Sequence, residues 1–572
     1  MNREPGASSW NWRSLLVLGI VSLTAAALSG RAIYLQTLDN RFLQDQGKER
    51  HLRVLQIPAH RGMILDRNGQ PMAVSTPVDS IWMDPQEIAS AIGRIPQLAK
   101  TLGMHSHEIL KLLAQNRDKE FVYLVRGMDP YVAQRVLALD IPGVYSQREY
   151  RRYYPAGEVT SQVLGFTNVD DLGQEGLELS YNSWLRGIPG AERVIVDRFG
   201  HSVQDVESLR TPRPGKDLVT SIDLRVQYLA YRALKQAVLE QGAESGSIIV
   251  MDARTGEILA MANQPSFNPN NREDYQPRAY RNRAVTDQFE PGSSMKPFTI
   301  MAALLSGRYT PNTYINTTPG YYKIAGYTIR DDADYGDIDL TTILEKSSNV
   351  GASKIALTLQ PQLLWNTLTA FGFGHVTDSG FPGEVPGYLP DYRSWSQARQ
   401  ATISYGYGIA VTALQLANAY DIIADNGVSI PPTFVHPDAP PTGQQVISAN
   451  MAVTLRHMLE TVVSNEGTGK LANVAGYHIA GKTGTAHIAE NGGYLPNDYY
   501  SVFTGIAPAT DPRLVTVVVI RAPSRGQYYA ATVAAPVFAR VMSGALRLLD
   551  IPPDDLSNLT TTAYVVRLGH AS

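Results

Sequence analysis

Between Ser14 and Gly30 the chain carries 17 consecutive residues without a charge, most of them apolar, among them Leu15, Leu16, Val17, Leu18, Ile20, Val21 and Leu23. No other stretch limits the fold so sharply. Inside a bilayer every backbone polar group must be satisfied within the segment, so a lone run of this kind has to be a helix. At ~1.5 Å per residue it covers about 26 Å, a little short of a bilayer core. Ala32, Ile33 and Leu35 can extend it, and Arg31 can snorkel outward. Arg3 and Arg13 precede the run against a single Glu4, which keeps a tail over residues 1–13 inside. Trp10 and Trp12 suit the interface. The expectation is an uncleaved membrane helix over 14–38. Ala25-Ala26-Ala27 also resembles a cleavage site, so a removable signal peptide is the alternative, and N-terminal sequencing of the mature protein decides between them. A buried helix of a soluble protein is the third reading.

A chain of 572 residues is long enough for two or three domains. A formal charge of −3 points to no polyanionic partner, so nucleic acid is not expected. The absence of cysteine excludes disulfides, thiol catalysis and Cys-based zinc sites. The 11 histidines show no metal-ligand spacing, so no metal is expected.

Past the apolar run, Asp66-Arg67-Asn68-Gly69 reads as a turn between the short apolar strands Met63–Leu65 and Pro71–Val74. Arg61, Asp66 and Arg67 read as a structural ion-pair network, with a catalytic cluster as the alternative. Residues 85–140 read as amphipathic helices and loops, and Arg193–Val196 alternates as a strand. Pro, Gly and charge cluster from Ser208 to Asp217, which marks a domain boundary. Beyond it come a strand (Leu218–Ile222), a helix (Leu224–Gln241) and a hairpin (Ser247–Met251, then Glu257–Ala262). Later come strands Tyr500–Ala507 and Leu514–Arg521 and a helix, Pro536–Leu549. Strands at both ends with helices between imply an antiparallel sheet in an α+β layered domain.

The chemistry is concentrated in Glu290-Pro291-Gly292-Ser293-Ser294-Met295-Lys296-Pro297-Phe298. Pro291 and Gly292 break the preceding structure, and Phe298 to Leu305 reads as a buried helix, so Ser293 sits at a helix start. Lys296 lies one turn on, on the same face. A serine hydroxyl needs a neighbouring base, and a lysine serves only if burial or nearby positive charge keeps it partly neutral. Alone, S-x-x-K recurs by chance as an ordinary helix start. Two downstream motifs change its weight: Ser347-Ser348-Asn349, 54 residues on, and Lys482-Thr483-Gly484-Thr485, 189 residues on. The triplet S-x-x-K, S-D-N-like and K-T-G marks penicillin-binding proteins and class A β-lactamases.

On these motifs the chain resembles the class B penicillin-binding proteins, most closely the septal, FtsI-type division transpeptidases. Further matches are R-G-M-I-L-D-R-N-G at 61–69, Tyr154-Pro155-x-Gly157, Gly176-Leu177-Glu178, the 406–417 stretch, and Tyr528-Tyr529 through Phe538. Ala530-Ala531, where a Gly pair is usual, and His487, where Lys is usual, depart from the pattern. The resemblance implies an α+β protein: a cytoplasmic tail (1–13), a transmembrane helix (14–38), a mixed α/β periplasmic pedestal (39–215), a β-lactamase-like transpeptidase domain (216–550) with a five-stranded antiparallel sheet flanked by helices, and a C-terminal tail (551–572). It implies a nucleophile (Ser293), its base (Lys296), a proton relay (Ser347), a substrate-holding amide that also steadies Lys296 (Asn349), and a cationic field from Lys482 that depresses Lys296. Thr483 and Thr485 would bind the substrate carboxylate, Gly484 would let the substrate strand approach, and the N–H groups of Ser293 and Thr485 would form an oxyanion hole. Peptidoglycan stem peptides and β-lactams are the implied ligands, without a cofactor. The implied partners are the SEDS-type polymerase FtsW and divisome proteins in the inner membrane. Ser348 reads as packing, and His478 and His487 as strand-face or core residues. A β-lactamase would need a group that activates water and would lack the residues ahead of the catalytic domain. A non-catalytic β-lactam sensor and an elongation-type or specialised class B paralogue are the remaining alternatives.

Overall fold

The computed structural model describes residues 12–37, 52–196, 202–271, 276–437, 439, 441–490 and 492–556. Most of the tails expected over 1–13 and 551–572, and the polar stretch after the first helix, lie outside the described residues.

Helix α1 (Trp12–Thr37) includes a 23-residue segment, Trp12–Tyr34, long and apolar enough to cross a membrane. At ~1.5 Å per residue that segment spans about 35 Å, enough for a bilayer core.

Packing divides the chain into two units. The first gathers the described residues of 1–60, 77–150 and 188–214, the second those of 61–76, 151–187 and 215–572. In the first unit, β1 (Leu52–Ile57), β2 (Gly190–Val196) and β3 (Ser202–Arg210) form an antiparallel sheet with β2 central. A separate core joins Ile81, Met83, Leu98, Ile109, Leu124, Val136 and Val144. The sequence reading of 85–140 as helices and loops misses one element: Val122–Met128 is a strand, paired antiparallel with Asp79–Met83.

The second unit is built on five antiparallel strands. They are β4 (Ser245–Asp252), β5 (Ile258–Gln264), β6 (Ala480–Glu490), β7 (Gly493–Ala507) and β8 (Leu514–Arg521), in the order β5-β4-β8-β7-β6. Side chains alternate across a strand, so a strand covered on both faces is apolar throughout. β4 shows this: Ile248 and Val250 join one core with Val226, Leu234, Phe538 and Val541, while Ile249 and Met251 join another with Phe298, Ile300 and Tyr420. The first core is roofed by α2 (Leu224–Gln241) and a C-terminal helix, Ala535–Leu548; the second holds the serine–lysine helix, Lys296–Leu305. The strand expected over Leu218–Ile222 is shorter, Leu218–Val219, and pairs parallel with Ile64–Leu65.

The second core also contains Ile64, Met72, Ala73, Tyr154, Leu164 and Leu177. Two segments expected within the 39–215 pedestal thus pack into the catalytic body. Arg61 and Arg152, both buried, converge on the buried Glu178: Arg61 Nε donates to Oε2 at 2.8 Å and Arg152 Nε to Oε1 at 2.6 Å. Arg67 pairs with Glu257 at 3.2 Å, and Asp66 accepts from the N–H groups of Asn68 and Gln70. Arg61, Asp66 and Arg67 all have structural partners, as expected, but not as one network: the arginines pair with separate carboxylates and Asp66 holds a turn.

Candidate active site

Pro291 and Gly292 open a tight turn, Gly292–Met295, that runs into the helix Lys296–Leu305. Pro297 falls in the first turn, where its missing N–H costs least. Gly292 has φ +55°, a conformation open to glycine, and its N–H donates to Gly406 O at 3.2 Å. A Cβ on Gly406 would overlap the Gly292 backbone, which explains the glycine that opens the 406–417 stretch. Tyr420, buried, donates from its hydroxyl to Ser294 O at 2.9 Å and steadies the turn.

The three motifs meet here. Lys296 is fully buried, and its Nζ lies 3.0 Å from Ser293 Oγ and 3.1 Å from Ser347 Oγ. It also donates to Ser347 O. Lys482, equally buried on the edge strand β6, lies 2.9 Å from the same Ser347 Oγ. One hydroxyl therefore touches both amines. Ser347 holds this place with φ +60°, a left-handed conformation that is uncommon outside glycine and clusters at functional sites.

Burial lowers Lys296 to about 7 against the opposing pull of Asp331 and Asp332. Burial, then the charge of Lys296, pushes Lys482 well below the ordinary lysine range. Desolvation is the largest cause at both lysines, and the repulsion expected between the two amines appears at Lys482.

One expected role changes, and another residue gains a second reason. Asn349 does not hold Lys296; its Nδ2 donates to Arg330 O at 3.0 Å, and Ser347 holds the amine instead. Gly484 is needed by the enzyme's own fold, because a Cβ there would stand 2.6 Å from Pro291 O. The nucleophile turn lies against this strand, so the absent side chain lets enzyme meet enzyme. Thr483 Oγ1 pairs with Thr468 Oγ1 at 2.9 Å. Thr485 Oγ1 accepts from Ala530 N at 3.1 Å, which leaves its own proton free to donate.

Ser348 is the N-cap of the helix Asn349–Thr358 and accepts from Gly351 N at 2.8 Å, a structural role as expected. His487 packs at a tilt of 38° against Tyr499, 4.4 Å between centroids, on the strand face. Ala530 has no positive φ and starts a short helix, so a glycine is not required there. Sequence reading did not pick out Asp331, Thr468 or Tyr420. Only the acidic pair Asp331-Asp332, 15 or 16 residues ahead of Ser347, offered a local signal.

Fold and site together fit a serine acyltransferase, with a buried lysine amine beside the serine hydroxyl. Comparison with known proteins gives the family. Residues 246–543 match the penicillin-binding protein transpeptidase domain and 56–220 the penicillin-binding protein dimerisation domain. A probable peptidoglycan D,D-transpeptidase PbpC of Pseudomonas aeruginosa is 44% identical over 97% of this chain and 98% of its own. Peptidoglycan D,D-transpeptidase FtsI of Escherichia coli K12 is 42% identical over 100% of this chain and 97% of its own. Among solved structures, penicillin-binding protein 3 of Mycobacterium tuberculosis in complex with aztreonam is 28% identical, covering 88% of this chain and 98% of its own, at a TM-score of 0.68. The transpeptidase domain of Burkholderia pseudomallei penicillin-binding protein 3 is 41% identical over 59% of this chain and 97% of its own, at a TM-score of 0.55. The chain belongs to the penicillin-binding proteins, in the branch of FtsI-type peptidoglycan D,D-transpeptidases. Its apolar first helix gives it the make-up of a single-pass inner-membrane protein.

Proposed function

We propose that this chain cross-links peptidoglycan stem peptides at the division septum through an acyl-enzyme on Ser293. The observation that carries the mechanism is the buried Lys296 amine 3.0 Å from the Ser293 hydroxyl. With its ordinary value brought down to about 7, the amine is substantially neutral at neutral pH and can take the serine proton. Ser293 Oγ attacks the carbonyl carbon between the two terminal D-Ala residues. The N–H groups of Ser293 and Thr485 receive the developing oxyanion, which in comparable sites contributes on the order of 3 kcal/mol per donor. The proton passes from Lys296 through Ser347 to the departing D-Ala amine as the C–N bond breaks. Lys482 and the Thr485 hydroxyl attract the substrate's terminal carboxylate, with Thr483 beside them, and Asn349 lines the approach. The amine of a neighbouring stem peptide then attacks the acyl carbon and gives up its proton by the same relay, restoring Ser293. β-Lactams, as mimics of the dipeptide, would stop at the acyl-enzyme. Intact-mass measurement of the full-length protein with benzylpenicillin tests this. One adduct on the unaltered protein and none on Ser293→Ala is expected, with a rate loss on the order of 10⁵. An adduct that survives Ser293→Ala would sink it.

The N-terminal tail would be cytoplasmic, the rest periplasmic, with FtsW and divisome membrane proteins as partners through the first helix and the pedestal. A specialised class B paralogue is the second reading, supported by a PbpC relative as similar as FtsI. Depletion separates the two: filamentous cells for the septal role, normal division for a paralogue.

A further inference from the structure

Asp331 lies outside the three motifs, yet it holds one of them. Its Oδ1 accepts from the N–H groups of Asn349 at 2.6 Å and Val350 at 3.0 Å, and its Oδ2 accepts from the Ser348 hydroxyl at 2.6 Å. The carbonyl of Arg330 takes the Asn349 side chain at 3.0 Å. Three successive residues following Ser347 are thus tied to one carboxylate. The helix they begin has its own cap already, Ser348 to Gly351 N at 2.8 Å. What the carboxylate adds is a fixed direction for the backbone immediately after Ser347. That residue has φ +60°, a conformation that persists only where its surroundings enforce it.

We propose that Asp331 is a positioning residue for acyl transfer: by pinning the backbone of 348–350 it keeps Ser347 left-handed, with its hydroxyl between the two lysine amines. The proposal rests on the relay role assigned to Ser347 above. Among the described residues Asp332, the next along, makes no hydrogen bond to the turn and acts on Lys296 through charge, so the pair separates tether from field. The charged groups that act on Lys296 are Asp331, Asp332 and Lys482. The two carboxylates favour its protonated form, and burial opposes them.

The test is the second-order rate of acylation by a fluorescent penicillin, followed from pH 5.5 to 9 on the full-length protein in detergent, with melting recorded alongside. Asp331→Ala removes all three bonds and should lower the plateau by about 100-fold, the scale of a small misplacement of a reacting group. Asp331→Asn keeps an acceptor for the two N–H groups and loses the charge. It should retain most of the plateau while its acidic limb moves to lower pH, because Lys296 surrenders its proton more easily. Asp332→Asn should move the limb the same way and leave the plateau alone. A folded Asp331→Ala protein within threefold of the unaltered rate overturns the proposal, and so does an Asp332→Asn plateau that falls as far as the alanine variant's. If the alanine variant does not fold, Asp331→Leu, which fills the space without an acceptor, takes its place under the same threefold limit. An unaltered protein that never acylates would fail the function itself, a result distinct from each of these.

Discussion

Two buried clusters of charge in the second unit are opposites. In one, Arg61 and Arg152 close on Glu178, and further donors of theirs reach carbonyls and hydroxyls: Arg61 Nη1 to Asp171 O at 3.0 Å, Arg152 Nη1 to Gly62 O at 2.8 Å. In the other, Lys296 and Lys482 are both fully buried around a serine hydroxyl, with no carboxylate in contact among the described residues. Burying a charge is costly unless it is paired. The first cluster meets that cost with a counter-ion. The second has no counter-ion in contact, and burial biases its amines toward the neutral form, in which a lysine is a base. Pairing makes structure here; the lack of it makes chemistry.

The comparison breaks most visibly at Lys296. Lys296→Met should cut acylation on the order of 10⁴-fold while leaving the melting temperature unchanged or higher, since an apolar chain fits a dry site. Loss of stability in that variant would mean that the lysine pair is structural after all. Glu178→Ala should do the reverse. It strands two guanidinium groups and should cost about 3–5 kcal/mol in denaturant unfolding. A stable, inactive Glu178→Ala protein would reverse the assignment of the two clusters.

The pH profile sharpens the contrast. Lys296 acts when neutral and its value lies at about 7, so acylation should rise as pH passes through 7. Below about 6 it should fall tenfold per unit, as a single required base dictates. A rate flat from pH 5.5 to 9 would deny Lys296 the role.

The smallest effect belongs to Asp421, buried with neither carboxylate oxygen hydrogen-bonded among the described residues. Desolvation pushes its carboxyl well above the usual range, so the folded state keeps a proton that the unfolded chain releases above about pH 4. Its contribution to stability is present in acid and declines as pH rises. Asp421→Leu should therefore add about 1–2 kcal/mol, more at pH 8 than at pH 5, by calorimetry. An equal change at both values would show the carboxyl ionised.

What the sequence disclosed was local. Pro291-Gly292 marked the turn, Ser293 and Lys296 stood one helical turn apart, and the helix Leu224–Gln241 was readable residue for residue because Asp223 caps its start and Gly242 its end. What it hid was long-range. The strand Val122–Met128 is held by pairing with Asp79–Met83, some 40 residues earlier, and its own composition did not distinguish it from helices beside it. Gly484 could be picked out by its motif but its reason could not, since the atom it makes room for belongs to Pro291. Asp331 carries no motif at all; three bonds to residues 17 to 19 positions away reveal it.

The left-handed backbone of Ser347 has a last implication for anyone breeding hardier versions of this enzyme. Glycine at that position would relax the chain and, by the usual scale of such strain, gain about 1 kcal/mol. It would also delete the one hydroxyl shared by the two amines. A selection for heat resistance alone would favour the change and enrich silent protein, so turnover has to be screened at every round.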